Sequence, residues 1–277
     1  MEIKLGDYNE LEVVKFVDFG LYLDGGEEGE ILLPSRYVPE GVKEKDVLRV
    51  FIYLDNEERL VATTLNPYIK VGEFASLKVA WVNKYGAFLD WGLMKDLFVP
   101  FREQKMKMQQ GKEYFVYCYV DEESYRVVAS AKIEHFLSKD MPEYQDGDKV
   151  DIIIWQKTEL GFKAVIENKY SGLVYANEVF QPLHSGMKME AYVKHVREDG
   201  KIDLELQQGG ARKADDFSES LLNYLKENDG FTEMNDKTDA EVIYSEFGVS
   251  KKTFKKAIGE LYKKRRIVLK EDGIHLA

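Results

Sequence analysis

The sequence predicts a mainly β protein that ends in a smaller α+β domain, and three observations support this fold class. A run of strand-forming residues with a glycine inside it occurs three times before about residue 205 of the 277-residue chain. From Asp215 onward, apolar residues instead recur at helical spacing. After Arg266, two short strand-like runs return.

The threefold repeat predicts three small barrels of five strands each. Each copy opens with a β-rich run that contains one glycine: VVKFVDFGLYLD from Val13, VAWVNKYGAFLD from Val79 and IIWQKTELGFKAVI from Ile153. A short apolar stretch follows (ILLP, LFVP, GLVY), then a longer strand (VLRVFIYLD, YFVYCYVD, MEAYVKHVRED) and a last one (RLVATT, RVVASA, KIDLEL). Five strands in roughly 60–65 residues favour closed barrels, and the central glycine permits the sharp coiling of a small barrel.

These repeats divide the first three quarters of the chain into three predicted barrels. We expect barrel 1 over residues 1–68, barrel 2 over 69–142 and barrel 3 over 146–208. The turn-forming stretch MPEYQDGD, from Met141, separates barrels 2 and 3. The polar stretch QQGGARKADD, from Gln207, is predicted to be a linker to the last domain.

Residues 214–277 predict a winged-helix domain, which consists of three helices followed by a β hairpin. The first helix is marked by apolar residues at helical spacing: Phe217, Leu221, Leu222 and Leu225. A capping-box pattern, TDAE from Thr238, opens the second helix, and Gly248 ends it. Ser250 can cap the third helix, and IVLKEDGIHL reads as a hairpin with its turn at Asp272-Gly273.

Charge is distributed unevenly along the chain. The whole sequence has 50 acidic and 39 basic residues, a net charge of −11. Residues 1–70 contribute 15 acids and 8 bases, whereas residues 251–270 contain nine Lys or Arg and a single acid, Glu260. Since affinity for phosphate comes largely from Lys and Arg, a polyanion should engage the end of the chain first.

On a helical wheel, the third helix of the last domain has one apolar and one basic side. The predicted phosphate-contacting set on and beside this helix is Lys251, Lys252, Lys255, Lys256, Gly259, Lys263, Arg265 and Arg266. Glycine is unfavourable inside a helix, and at position 259 it would let a phosphate backbone approach closely. The alternative is an ordinary solvated lysine face. The first turn offers no Arg, Asn or Gln for reading bases, so phosphate contact is favoured over base recognition.

The barrels offer a second set of candidates, because single strands are bound by aromatic platforms beside basic groups. In barrel 3 the candidates are Phe162, Lys163, Tyr175, Lys194, Arg197 and Lys201. Barrel 2 offers the aromatic residues Trp81, Tyr85, Phe88 and Trp91. The predicted stacking residues are Tyr85 and Phe88, which share a face only if Gly86 bends the strand; core packing is the alternative for Phe88. Barrel 1 is strongly acidic, and its Phe19 and Tyr22 are expected to serve packing or interdomain contact.

Two levels of resemblance follow from these residues. The aromatic–Gly–x–aromatic runs FGLY (from Phe19) and YGAF (from Tyr85), with GLVY (from Gly172), resemble the S1-type RNA-binding domain, an oligonucleotide-binding (OB) fold. That family usually has a histidine at the fourth position of the stretch that GLVY matches, and we take Leu33, Val99 and Tyr175 as its equivalents.

The segments VREDGKIDLELQ (from Val196) and DKTDAEVIYSEFGVSKKTFKKAIGELYKKRRIVLKEDGIHL (from Asp236) resemble the conserved virulence factor B family of bacterial RNA-binding regulators. The resemblance implies RNA binding and post-transcriptional effects on gene expression, with no catalytic residues and no cofactor.

We therefore expect a non-catalytic, cytoplasmic protein that binds single-stranded RNA through barrel 3 and the winged helix, with DNA as the alternative ligand. The acidic runs DEE (from Asp121) and EE (from Glu27) fall at predicted hairpin tips, as solvated turns do, so no metal site is expected. The single cysteine, Cys118, is expected to be a buried strand thiol. We also expect no signal peptide and no membrane span.

Two other functions stay open at this point. The winged helix alone would suit a DNA-binding transcription regulator. The acidic barrel 1 would suit a protein-interaction scaffold that binds a basic partner.

Overall fold

The structure is a computed structural model that describes residues 2–179, 182–206 and 212–277. The chain forms two compact units, Met1–Leu137 and Ser138–Ala277. Within these ranges, no helix has the length and apolar character that a membrane crossing requires.

Three closed barrels of five strands make up most of the chain, as the sequence predicts. The strands of barrel 1 are β1 (Tyr8–Val17), β2 (Gly20–Asp24), β3 (Glu30–Pro34), β4 (Val47–Leu54) and β5 (Leu60–Thr63). Those of barrel 2 are β6 (Phe74–Val82), β7 (Gly86–Asp90), β8 (Leu97–Pro100), β9 (Glu113–Val120) and β10 (Val127–Ser130). Those of barrel 3 are β11 (Lys149–Lys157), β12 (Gly161–Ile166), β13 (Tyr170–Tyr175), β14 (Lys188–Val196) and β15 (Ile202–Glu205). Around each barrel the strands follow the order first, second, third, fifth, fourth.

The repeated glycine marks the point where each barrel closes on itself. A Cβ atom added at Gly20, Gly86 or Gly161 would lie 2.2, 2.3 or 2.1 Å from a carbonyl oxygen of the paired third strand. No side chain fits at that distance. The first strand of each barrel also has a register irregularity at Val14, Ala80 or Trp155, as expected of a strand that bends to pair with two neighbours.

Barrels 1 and 2 share a hydrophobic cluster, although barrel 1 also has a separate core of its own. Phe51, Tyr53 and Val61 of barrel 1 pack into the cluster that also holds Trp91 and the inner residues of barrel 2. The ring centroids of Phe51 and Trp91 are 5.8 Å apart in an edge-to-face arrangement. The two barrels therefore form a single packed body, in which one side of barrel 1 is buried by barrel 2.

The C-terminal domain is a winged helix. Its elements are α1 (Arg212–Glu227), β16 (Phe231–Thr232), α2 (Ala240–Phe247), α3 (Lys251–Lys263), β17 (Ile267–Lys270) and β18 (Gly273–Leu276). Ser250 caps α3 as predicted and accepts a hydrogen bond from the Thr253 amide. Helix α2 is capped by Asp239, which accepts from the Glu241 amide, and not by Thr238, the first residue of the predicted capping box. Gly248 ends α2 with a φ of 65°, which is the left-handed conformation that favours glycine.

Four further details of the fold differ from the sequence predictions. Strand β16, which joins the wing as an edge strand next to β18, was not predicted, because two residues carry no periodicity. The turn of the wing is formed by Glu271 and Asp272 rather than Asp272-Gly273, since Gly273 already pairs with Lys270. The linker predicted over 207–216 is helical from Arg212, while residues 207–211, with the predicted end of barrel 3, lie outside the described residues.

The fourth difference is the assignment of equivalent positions on the third strand. Gly20 pairs with Pro34, Gly86 with Pro100 and Gly161 with Tyr175. The equivalents of Tyr175 are therefore the two prolines, and the assignment of Leu33 and Val99 was wrong. Both of those side chains are fully buried.

Cys118 lies fully buried on β9, as predicted for a strand thiol. Burial raises the pKa of this thiol well above its ordinary value, so almost no thiolate is present at neutral pH.

The barrel-closing glycines lead to a stability prediction. We expect Gly20→Ala to lower the free energy of unfolding by about 1–3 kcal/mol more than Gly41→Ala does, because only the former forces a methyl group against backbone. Both glycines have positive φ angles, 154° and 78°, but an added Cβ at Gly41 meets nothing within 4 Å. Denaturant unfolding of the two variants measures the difference, and equal losses would show that contact with β3 is unimportant.

Candidate nucleic-acid interface

Helix α3 separates apolar from basic residues as the helical wheel predicts. It packs against α1 and β17, with Phe254, Ala257 and Leu261 buried. Lys252, Lys255 and Lys263 are exposed on the other side. In the part of the chain that the structure describes, none of these three lysines forms an ion pair, so their charges are available to an outside anion.

The remaining members of the α3 set differ in their surroundings. Lys256 is exposed like its neighbours, whereas the ammonium of Lys251 donates a hydrogen bond to the carbonyl of Lys237 at 3.2 Å. A Cβ added at Gly259 would meet nothing within 4 Å. The space above this glycine is open, so packing inside the protein does not explain why the helix tolerates a poor helix former there.

Two arginines follow α3 at the entrance to the wing. Arg265 has a φ of 53°, a left-handed conformation in which helices usually place glycine. The Arg266 amide donates to the Leu261 carbonyl at 2.9 Å, which closes the helix end. Tyr262, Val268 and Leu269 are exposed beside the arginines, and the charge count did not indicate these apolar residues.

In barrel 3, most of the predicted cations are engaged in ion pairs within the barrel. Two nitrogens of Arg197 donate to the carboxylate of Asp203, at 3.1 and 2.8 Å, and Arg197 also contacts the hydroxyl of Tyr175. The hydrogen bonds to Asp203 raise the pKa of Arg197. The structure therefore brings Tyr175 and Arg197 into direct contact, with Asp203 bonded to both.

The other predicted residues of barrel 3 are spread over its surface. Lys194 pairs with Glu178 at 2.5 Å, and Lys201 pairs with Asp199 at 2.6 Å. The ammonium of Lys163 lies 5.1 Å from the centre of the Trp155 ring. Phe162 packs partly against the barrel core. Aromatic and basic residues are thus both present here, but they do not form one stacking platform.

Barrel 2 has the platform that barrel 3 lacks. We call Trp81, Phe88 and Phe98 the aromatic row, since they occupy paired positions on β6, β7 and β8. The rings of Trp81 and Phe88 are stacked, with centroids 3.7 Å apart and an interplanar angle of 4°, and Phe88 and Phe98 are 4.9 Å apart. The adjacent Ala87 and Val99 are fully buried, so the row lies on the outside of the barrel.

The aromatic row forms the floor of a groove of about 980 Å³. Tyr85 is 62% exposed and lines the same groove as Phe88, so the structure places both predicted barrel 2 residues at one site. Phe98 was missed in the sequence, and Trp81 was noted as an aromatic residue of barrel 2 but was not among the predicted stacking residues. Their positions opposite Phe88 follow from strand register, which the glycine motif does not reveal.

Charged groups line the groove on both sides. Arg102 pairs with Asp121 at 3.0 Å and Glu123 at 3.6 Å, and the Ser124 hydroxyl, together with Arg102, lowers the pKa of Asp121. The ammonium of Lys95 donates to the carbonyl of Asp55 at 2.7 Å, and burial lowers the pKa of this lysine. Asp121, Glu122 and Glu123 lie between β9 and β10, at a hairpin tip as predicted.

The positions that are equivalent to the aromatic row carry different side chains in the other two barrels. In barrel 3 it contains Gln156, Lys163 and Leu173. In barrel 1 it contains Lys15, Tyr22 and Leu32, and its continuation, Val61 and Tyr53, is buried against barrel 2. Among the described residues, only barrel 2 presents three aromatic rings at these positions.

Comparisons with known proteins agree with this architecture. The family model described as "S1 domain" matches residues 5–65 and 71–132, which contain the strands of barrels 1 and 2. The model described as "CvfB-like winged helix domain" matches residues 219–276. Both kinds of domain are nucleic-acid-binding modules, which agrees with exposed lysines on α3 and with an aromatic groove on barrel 2.

Two bacterial relatives extend over most of the chain. The uncharacterized protein YitL of Bacillus subtilis is 28% identical over 267 residues, covering 92% of this chain and 88% of the relative. Conserved virulence factor B of Staphylococcus saprophyticus is 24% identical over 285 residues, covering 98% and 94%. A crystal structure of a multidomain protein with nucleic acid binding domains from Streptococcus pneumoniae is 23% identical, with a TM-score of 0.42 and coverage of 99% and 98%.

The open space at Gly259 leads to a second stability prediction. We expect Gly259→Ala to raise the free energy of unfolding of the winged helix by about 0.5–1 kcal/mol, because alanine is the better helix former. The loss of the helical circular dichroism signal on heating measures the change. Gly248→Ala is the matched control and should be destabilising, since its φ of 65° disfavours any side chain. A destabilised Gly259→Ala would mean that the glycine has a packing role.

Proposed function

Since this chain belongs to the conserved virulence factor B family, we propose that it binds single-stranded RNA and regulates gene expression after transcription, without catalysing a reaction. The observation that carries the proposal is the α3 basic face, formed by Lys252, Lys255, Lys256, Gly259 and Lys263. In a chain of net charge −11, three lysines of this face are exposed and have no acidic partner in the described ranges. An anion can therefore bind to these three lysines without first displacing an internal acidic partner.

The α3 basic face suits phosphate better than bases. Its cations are lysines, which act as compact point charges without the two-pronged geometry that reads a base edge. Gly259 leaves room for a sugar-phosphate backbone to lie against the helix. Arg265 and Arg266, exposed at the end of α3, would continue the contact toward the wing.

Barrel 3 is proposed as the continuation of this contact. It belongs to the same compact unit as the winged helix. A cleft of about 900 Å³ is lined by Val179 and Pro182 of barrel 3 and by Tyr244, Lys251 and Lys252 of the winged helix. A strand that leaves α3 could reach the barrel through this cleft. Because exposed ion pairs contribute little, a phosphate could exchange with Asp199 at Lys201, whose side chains are 51% and 73% exposed.

The preference for a single strand is supported by barrel 2. Stacked aromatic side chains on an OB-type barrel bind unpaired bases without requiring a particular sequence. The aromatic row provides three rings in contact, and Tyr85 adds a fourth, exposed ring in the same groove. A duplex cannot use this surface, because its bases are already stacked.

Binding to duplex DNA is the second candidate, and the fully uncovered basic side of α3 favours it, since winged helices place such a helix against a groove. Fluorescence anisotropy with matched single-stranded RNA, single-stranded DNA and duplex DNA at two salt concentrations separates the candidates. The proposal expects the highest affinity for single-stranded RNA. Tighter binding of the duplex would favour a transcription regulator.

Substitution of the α3 lysines tests which surface binds. We expect the triple variant Lys252→Gln, Lys255→Gln, Lys263→Gln to bind RNA at least about tenfold more weakly and to lose about 2 from the slope of log K against log salt, since each single-strand phosphate contact contributes roughly 0.7. The measurement is the anisotropy titration repeated over a salt series.

The matched control replaces three exposed lysines elsewhere, Lys43, Lys107 and Lys139, by glutamine. It changes the net charge equally and should leave the salt slope unaltered. If the two triple variants behaved alike, the α3 basic face would be ordinary solvent surface.

A further inference from the structure

One wall of the barrel 2 groove comes from barrel 1. The hairpin between β4 and β5 contributes Leu54, Asn56 and Glu58 to the groove lining. It is attached to barrel 2 by the hydrogen bond from Lys95 to the Asp55 carbonyl and by an ion pair between Glu58 and Arg126. The first two barrels therefore build this site jointly.

The backbone of this hairpin favours glycine at the position of Glu58. The Asp55 amide donates to the Arg59 carbonyl at 2.9 Å, and the Glu58 amide donates to the Asp55 carbonyl at 3.1 Å. Glu58 has a φ of 65°, in the left-handed region. A tight hairpin loop with a residue in this conformation normally carries glycine there, because any Cβ atom is disfavoured.

Barrel 3 repeats the hairpin and has the expected residue. The Arg197 amide donates to the Lys201 carbonyl at 2.8 Å, and the Gly200 amide donates to the Arg197 carbonyl at 2.9 Å. Gly200 has a φ of 77°. The same loop thus carries glycine in barrel 3 and glutamate in barrel 1, so Glu58 adopts a backbone conformation that disfavours its side chain.

The Glu58 side chain contacts Arg126, which is one of the cations that line the groove. Arg126 and Arg102 both line the groove, and both are paired with acids, Arg126 with Glu58 and Arg102 with Asp121 and Glu123. The side chains of Glu58 and Arg126 are 52% and 49% exposed, so this pair is weak and can exchange with solvent anions. A phosphate is the natural competitor, since guanidinium binds it through two hydrogen bonds.

We propose that Glu58 is an intramolecular competitor of phosphate at Arg126. A single strand whose bases stack on the aromatic row places a phosphate near the rim of the groove and displaces the carboxylate. An anion without stacking bases, such as a duplex or free phosphate, lacks the additional binding energy for the exchange. Glu58 thus makes the groove selective for unpaired bases. This inference rests on the proposed binding of single-stranded RNA, but it concerns a different surface from the α3 basic face.

The test uses the full-length chain and a short single-stranded RNA, with tryptophan fluorescence as the readout of the groove. Trp81 belongs to the aromatic row, so stacking of a base should quench it, and loss of the signal in Trp81→Phe confirms its origin. We expect Glu58→Gln to raise the affinity read by quenching about three- to tenfold and to steepen the salt slope by roughly 0.7, because Arg126 then takes up one phosphate.

Three variants control this result. Glu57→Gln removes the same charge from the same hairpin, but Glu57 pairs with Arg59 at 3.0 Å and does not line the groove, so affinity should stay within about twofold. Glu58→Gly should gain affinity like Glu58→Gln without a lower unfolding midpoint, since glycine suits the backbone. In an Arg126→Gln background, Glu58→Gln should give no gain.

The outcomes are separable. Unchanged affinity in Glu58→Gln, an equal gain in Glu57→Gln, or a gain that persists without Arg126 would each overturn the inference. RNA binding seen by anisotropy with no quenching of Trp81 would overturn it while leaving the proposed function intact. If the unaltered chain bound no RNA by either readout, the proposed function would fail, and this inference with it.

Discussion

The close approach of backbone to backbone at three glycines is the constraint on which the barrels depend. At Gly20, Gly86 and Gly161 the second strand lies so near the carbonyls of the third that only a hydrogen atom fits between them. This contact sets how β2, β7 and β12 pair with the next strand. The register of this strand pairing in turn determines which residues face outward from the barrel. The residue two positions after each glycine, Tyr22, Phe88 or Lys163, lies in the same outward row.

One scaffold therefore carries three different surfaces. In barrel 1 the end of the row is buried against its neighbour, and the barrel contributes a wall to a groove rather than a site of its own. In barrel 2 the row is aromatic, and in barrel 3 it begins with glutamine and lysine. The repeat accounts for the common fold of the three barrels, while different residues at a few outward positions give each barrel a different surface.

Local pattern was sufficient to predict the fold class, the Ser250 cap and the basic side of α3, because glycine spacing, capping residues and helical periodicity are properties of short segments. The paired state of Arg197 was not predictable, because Asp203 meets it only after β14 and β15 pair. Phe98 was missed, and Trp81 was left out of the predicted stacking residues, for the same reason, since their contact with Phe88 depends on register across three strands. The core shared through Phe51 and Trp91 joins residues of two domains that a search for repeats treats as independent.

That shared core has a consequence for the order of events during synthesis. When barrel 1 has left the ribosome, Phe51, Tyr53 and Val61 have no cover until the strands of barrel 2 are complete at Ser130. At synthesis rates of about 5–20 residues per second, this interval lasts several seconds. During that time the nascent chain exposes an apolar surface of the kind that chaperones recognise. Barrel 1 is thus synthesised before the domain that completes the burial of its apolar surface.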